Sequence, residues 1–254
     1  MLNKPRYPQA ETLAELERNF AEINGRIQTA CRRAGRHPDS VRLLPVTKTV
    51  DERRIRMAHA LGYACFGENK VQEAWGKWQE MQDLPLDWVV IGHLQTNKIK
   101  YMAKFAAEFQ ALDSLRVAEQ LDARLASEGR TLDVLVQVNT SGEASKYGLA
   151  PEAAEGFVHA LAPFPRLKVK GLMTLALLSQ ESAKVRGCFV LLRRLQERLQ
   201  RGLPDGMSLA ELSMGMSGDF EAAIEEGATT VRIGQALFGS RSLPDSHYWP
   251  EGGV

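Results

Sequence analysis

The chain is 254 residues long, enough for one large domain or two small ones, and in either case for a substantial buried core. With 44% hydrophobic and 25% charged residues, 21 Gly and 11 Pro, its composition excludes collagen-like, low-complexity and disordered polymers. Thirty-two basic residues against 31 acidic ones leave a net charge of +1, which lacks the footprint of a dedicated nucleic-acid binder and makes a small molecule the expected ligand.

The first element carries Leu13, Leu16, Phe20, Ile23, Ile27 and Cys31 at steps of three and four, with Thr12-x-x-Glu15 as a capping box and Gly35 as the stop. This pattern predicts an amphipathic helix. A short β-branched stretch at 41–49 then reads as a strand, and 51–61, closed by Gly62, as a helix. The alternation repeats: strands at 64–67, 88–94, 109–112, 134–138, 169–176, 209–214 and 230–238 are each preceded by helical periodicity. Eight strands alternating with helices over this length predict an α/β fold, a single (β/α)8 TIM-type barrel with an extra N-terminal helix, as one domain over residues 1–254. A doubly wound open sheet is the alternative, because strand order is not written in a single sequence.

Cys31, Cys65 and Cys188 are odd in number, widely spaced and outside any Cys/His ligand pattern, so neither a disulfide framework nor a metal site is expected and the thiols read as buried and reduced. Residues 1–10 lack the apolar region of a signal peptide, and the longest apolar stretch, 171–178, is too short for a membrane span. A cytoplasmic protein is expected, in which the sequon at Asn139 carries no glycan.

A barrel of this type builds its site at the C-terminal ends of the strands, so polar residues there are the candidates. Lys48 shares strand parity with Leu44 and Val46, which predicts an amine pointing into the barrel mouth. A desolvated lysine has a lowered pKa and condenses with an aldehyde or ketone as a Schiff base, although a strand-end lysine also commonly snorkels to solvent. The segments around Ser213–Ser217 and Arg232–Gly234, after the seventh and eighth strands, have the glycines and hydroxyls of a phosphate site. Each taken alone also fits an ordinary capped turn. Glu68 and Asn69 end the second strand, where they could contact a ligand, although Asn69 fits a loop cap as well and Glu68 a solvated or paired carboxylate. His93 reads as a hydrogen-bonded core histidine without a catalytic role, and Trp75 and Trp78 as packing residues.

Several segments in order, Leu-Leu-Pro-Val-Thr-Lys48-Thr, Phe66-Gly-Glu-Asn69-Lys-Val-Gln-Glu73, Ile91-Gly-His-Leu-Gln95, Val138-Asn-Thr-Ser-Gly-Glu143, Leu212-Ser-Met-Gly-Met-Ser217 and Val231-Arg-Ile-Gly-Gln-Ala-Leu-Phe-Gly239, together resemble the pyridoxal phosphate homeostasis (YggS/PROSC) family. The resemblance implies a fold-type III barrel similar to the N-terminal domain of alanine racemase. It implies pyridoxal 5′-phosphate held as a Schiff base on Lys48, with Ser213, Ser217 and Gly234 at the phosphate, Arg232 at the pyridine nitrogen and Asn69 lining the ring pocket. An arginine there opposes ring protonation and weakens the electron sink. The chain ends soon after the eighth strand, so the racemase's second domain and its tyrosine are expected to be absent. The implied function is buffering or delivery of the cofactor, with apo pyridoxal-phosphate enzymes as recipients, no catalytic residue, no nucleic acid or membrane partner, and a monomer. The rival reading is a barrel enzyme using the same lysine, a weak racemase or lyase or a class I aldolase. Lys146, in the loop after the fifth strand, reads first as a solvated loop lysine and second as a candidate aldehyde acceptor at the rim.

Overall fold

The computed structural model describes residues 7–240. The expected start of the chain and the segment 245–250 at its other end therefore lie outside the described residues, as does Arg241, where the resemblance ends. Helix α1 (Leu13–Arg33) opens as expected: Thr12 accepts from the Glu15 amide, and Glu15 accepts from the Thr12 amide. Its apolar stripe of Leu16, Phe20, Ile23, Ile27 and Cys31 is buried.

The alternation follows in order: β1 (Arg42–Pro45), α2 (Glu52–Ala60), β2 (Cys65–Glu68), α3 (Val71–Glu80), β3 (Asp87–Val90), α4 (Ile99–Phe105), β4 (Ala106–Leu112) and α5 (Leu115–Ser127). Then come β5 (Leu132–Gln137), α6 (Ala154–Ala160), β6 (Leu167–Met173), α7 (Ser182–Leu199), β7 (Glu211–Ser213), α8 (Phe220–Glu225), β8 (Thr230–Ile233) and α9 (Gln235–Phe238). All paired strands are parallel, and the order β1-β8-β7-β6-β5-β4-β3-β2 brings the first and second strands to the two ends of the sheet. A parallel bridge between Val46 and Gly67 joins those ends, with the Thr47 amide donating to the Gly67 carbonyl at 3.0 Å. The result is the expected (β/α)8 barrel, with α1 laid against α8 and α9 through the Arg26–Glu221 ion pair and the bond from the Asn19 side chain to the Leu237 carbonyl.

Four expected strands stop short by three or more residues, the first at Pro45 rather than 49 and the sixth at Met173 rather than 176. The eighth ends at Ile233 rather than 238, because at Gly234 the backbone turns into α9, whose Leu237 and Phe238 amides bond to the Gly234 carbonyl. Ala236, Leu237 and Phe238 are buried in either conformation, so their apolarity did not discriminate. The third ends at Val90 rather than 94, although Ile91 still bonds to the Glu68 carbonyl.

Most apolar residues pack between the barrel and its helices, while Leu44, Val46, Val89 and Ile91 form a separate cluster with Cys65 against it. This second cluster lies inside the barrel. Cys31 and Cys188 are buried as expected, whereas Cys65 is only half-buried. Trp75 and Trp78 pack with ring centroids 4.9 Å apart and planes tilted by 34°, beside Tyr101 and Phe105, consistent with a packing role.

Candidate functional site at the barrel mouth

Strand alternation sets the lysine. Leu44 and Val46 point inward, so Lys48, two residues on, belongs by parity to the barrel side of β1's end, and it lines a cavity of about 240 Å³ bounded by Val46 and Gly234 at the strand ends and by Gln9, Arg54 and Phe238 from the segment before α1, α2 and α9. Thr47 and Glu68 take the opposite side, beneath α3. Both are fully buried, and the Thr47 hydroxyl donates to Glu68 Oε1 at 2.7 Å. Lys77 of α3 reaches down to the same point, donating to Glu68 Oε1 at 2.6 Å, to the Thr47 carbonyl at 2.7 Å and to Glu73 Oε1 at 2.7 Å. Burial pushes the Glu68 carboxyl up to about 7 against the pull of Lys77. Glu68 therefore faces away from the mouth as a paired carboxylate, the second of the two readings its sequence position left open.

Asn69 follows Glu68 and is half-buried. Its backbone is pressed against Gly92, where an added Cβ would lie 2.2 Å from the Asn69 carbonyl oxygen, so only glycine lets the ends of β2 and β3 approach this closely.

On the neighbouring strand β8, Arg232 pairs in register with Leu44, below the level of Lys48, and is 3% exposed. Its guanidinium donates to the Ser213 hydroxyl at 2.6 Å and to the Thr174 carbonyl at 2.7 Å, both neutral partners. Burial lowers its pKa to about 10, opposed by the charge of Asp219, so it stays protonated at neutral pH. Ser213 lies one level deeper than the loop it leads into: its hydroxyl accepts from Arg232 and donates to Gln110 Oε1 at 2.6 Å. Gln110 in turn donates to Glu108 Oε1 at 2.6 Å, and Arg42 closes on that carboxylate at 2.8 Å. Donor and acceptor roles are fixed along the whole chain, since a guanidinium only donates and a carboxylate only accepts. A single hydrogen-bonded file thus runs through the barrel interior from Arg42 to Arg232.

Ser217 and Gly234 are brought together beside the cavity. The Ser217 hydroxyl accepts from the Ala236 amide at 3.3 Å, linking the loops after β7 and β8. Asp219 caps the first of these loops through the Met216 amide at 2.6 Å, and burial raises its pKa. A Cβ on Gly234 would sit 3.2 Å from the Val46 carbonyl oxygen, so a side chain there would crowd the end of β1. Of the six residues anticipated, Lys48 and Gly234 line the cavity itself, Ser217 flanks it, Arg232 and Ser213 form the interior file, and Asn69 sits at the neighbouring strand end.

The rim differs from expectation at His93, which is exposed rather than in the core and stacks on Tyr147 with ring centroids 4.1 Å apart. Lys146, beside that tyrosine, donates to the Ala176 carbonyl at 2.9 Å and pairs with Glu143 at 2.5 Å.

The sequence matches the family described as alanine racemase, N-terminal domain, over residues 18–242. A protein of Pseudomonas aeruginosa named pyridoxal phosphate homeostasis protein is 44% identical over 230 residues, 91% of this chain and 96% of that one. The chain belongs to the pyridoxal phosphate homeostasis protein family. A solved structure of another protein, PipY of Synechococcus elongatus with PLP bound, is 36% identical and superposes with a TM-score of 0.75 over 85% of this chain and 100% of that one. Alanine racemase of Clostridium difficile, at 15% identity and a TM-score of 0.68 over 96% of this chain and 61% of that one, shares the barrel fold. For a pyridoxal phosphate homeostasis family chain, sequence reasoning passed over Glu108, Gln110, Thr174, Glu73 and Lys77. Glu108 and Gln110 alternate with apolar residues as solvent-facing strand residues do, and Glu73 and Lys77 have the i,i+4 spacing of an ordinary surface pair.

Proposed function

We propose that this protein binds pyridoxal 5′-phosphate covalently and reversibly through Lys48 and serves to buffer or deliver it inside the cell, without catalytic turnover of its own. The observation that carries this reading is the donor set at one end of the barrel: a lysine on the cavity and, on the adjacent strand, a buried guanidinium whose bonded partners among the described residues are neutral. The name of the Pseudomonas relative and the PLP held by PipY support the same ligand.

The residues fit such a group chemically. The Lys48 amine would attack the aldehyde carbon, with one water lost on attachment and one regained on release. Ser217 and the turn at Gly234, where a side chain would meet Val46, would take the phosphate. Arg232, locked by Ser213 and Thr174, would present a donor to the ring nitrogen, and Asn69 would border the ring. When bound, the cofactor supplies an electrophilic aldehyde and, if its ring is protonated, an electron sink. A fixed cation at the ring nitrogen opposes that protonation, which suits carriage rather than carbanion chemistry. In this reading Ser213 acts on Arg232 rather than on the phosphate, and Lys146, already engaged by Ala176 and Glu143, stands at the rim as a secondary aldehyde acceptor.

The rest of the reading is a single barrel domain acting as a monomer in the cytoplasm, with apo-enzymes as recipients and no nucleic acid partner. Among the described residues no helix is long and apolar enough to cross a membrane.

The test is the visible spectrum of purified protein with added pyridoxal phosphate, beside Lys48→Ala, followed by borohydride reduction and peptide mapping. The expected result is a lysine-bound chromophore, absent from the variant, with the reduced adduct on Lys48 and no amino-acid turnover. A wild type that stays colourless overturns the assignment, and turnover of an amino acid overturns the carrier role.

A further inference from the structure

The turn that carries Lys48 has an unusual backbone. Thr49 has φ +64°, the only non-glycine among the described residues with positive φ, and β-branched residues rarely occupy that region. A threonine persists there only when its surroundings over-determine it. Two bonds hold it: the Val50 amide closes the turn on the Thr47 carbonyl at 2.8 Å, and the Thr49 amide donates out of the turn to Glu73 Oε1 at 2.6 Å. Glu73 sits in the first turn of α3 and Lys77 one turn further, so the same carboxylate oxygen is seated by the Lys77 ammonium at 2.7 Å. That ammonium also holds the Thr47 carbonyl at 2.7 Å and the fully buried Glu68 at 2.6 Å. Both peptide neighbours of Lys48 are thereby tied, from outside the barrel, to one charged cluster.

We propose that Glu73, seated by Lys77, is a positioning residue for Lys48: by holding Thr49 in the left-handed conformation it keeps the lysine on the cavity side of β1's end. Without that hold, Thr49 relaxes to negative φ, the turn rotates, and the amine leaves the cavity for solvent. The inference rests on the reading of Lys48 as the aldehyde-binding group, and it deepens that reading by naming what aims the amine.

Glu73→Ala is the informative variant, because the Glu73 side chain is 27% exposed and its truncation leaves the buried Glu68–Lys77 pair in place. Three readouts are compared in wild type, Glu73→Ala, Thr49→Gly and the double variant. They are the rate at which the lysine-bound chromophore forms, the affinity for pyridoxine 5′-phosphate, whose alcohol cannot bond to an amine, and acetylation of Lys48 by an N-hydroxysuccinimide ester without cofactor, read by mass spectrometry. Glu73→Ala is expected to slow attachment about tenfold and to raise acetylation of Lys48, with affinity for the alcohol analogue unchanged. Glycine adopts φ +64° without strain, so Thr49→Gly in the same chain is expected to restore attachment to within about twofold of wild type.

Attachment at the wild-type rate in Glu73→Ala overturns the inference. So does failure of Thr49→Gly to rescue, or an equal loss of affinity for the alcohol analogue, which would mark a general structural role. If the wild type forms no chromophore, the ligand reading falls, and the cofactor-free acetylation of Lys48 still decides whether Glu73 positions it.

Discussion

Lys48 and Arg232, carried by the neighbouring strands β1 and β8, are held by opposite means. Lys48 is placed through its backbone, by an ion cluster of Glu68, Glu73 and Lys77 lying outside the barrel under α3. Arg232 is placed through its side chain, by a file of Ser213, Gln110 and Glu108 inside it. The first arrangement fixes the backbone on both sides of the lysine. The second immobilises the guanidinium itself, so the electrostatic environment it sets does not change as a ligand comes and goes.

The largest effect that would break this contrast is expected at Gln110. Gln110→Leu keeps the volume but leaves the Ser213 hydroxyl and the Glu108 carboxylate short of a partner in a buried file, an expected loss of about 2–4 kcal/mol in urea denaturation. A loss below about 1 kcal/mol would mean that the interior file orients Arg232 without stabilising the barrel. The partly exposed Glu73, by contrast, is expected to cost about 1 kcal/mol or less when truncated, with its effect appearing in the chemistry of Lys48.

The two networks also separate by pH. Glu68, buried and pushed up to about 7 from an ordinary 4.5, holds its proton more tightly in the folded chain than in the unfolded one. Its contribution to stability is therefore fully present below about 4.5 and is lost as pH rises through about 7. Glu68→Gln is expected to flatten the pH dependence of unfolding in that window, checked by denaturation at a series of pH values. Arg232, at about 10, adds no titration there. An unchanged slope in the variant would place the charge balance of the outer cluster on Glu73 and Lys77 alone. The smallest effect belongs to the rim: His93→Ala removes a stacked contact on the half-exposed Tyr147 and is expected to change stability by about 0.5 kcal/mol or less, a reference for a mouth residue in neither network.

What the sequence made legible follows the same division. Eight alternations and the parity of Lys48 with Leu44 and Val46 could be read directly, because apolar periodicity records which side of an element is buried. Arg232 and Ser213 were found as residues, but Ser213 looked like part of a glycine-rich loop, and only the pairing of β7 with β6 and β8 shows it buried beneath the arginine. Glu108 and Gln110 were invisible for a physical reason: polar residues turned into a barrel and polar residues turned into water have the same period of two. Glu73 and Lys77 were hidden similarly, since nothing in an i,i+4 pair tells that β1 and β2 end directly beneath it. The left-handed conformation of Thr49 had no sequence marker, because no glycine stands at that position.

The bridge between Val46 and Gly67 has a consequence for how the site comes into being. Strand β1 is registered against β8 over four residue pairs, from Arg42 with Thr230 to Pro45 with Ile233, but meets its sequence neighbour β2 mainly at this one bridge. The strand that roots Lys48 thus depends for most of its ladder on a partner 188 residues away, and closing so long a loop is entropically late in folding. During synthesis, residues 42–45 wait unpaired until 230–233 have left the ribosome. The nascent chain cannot present its lysine in a finished mouth, and an aldehyde-bearing cofactor meets an ordered site only after the last strand has docked.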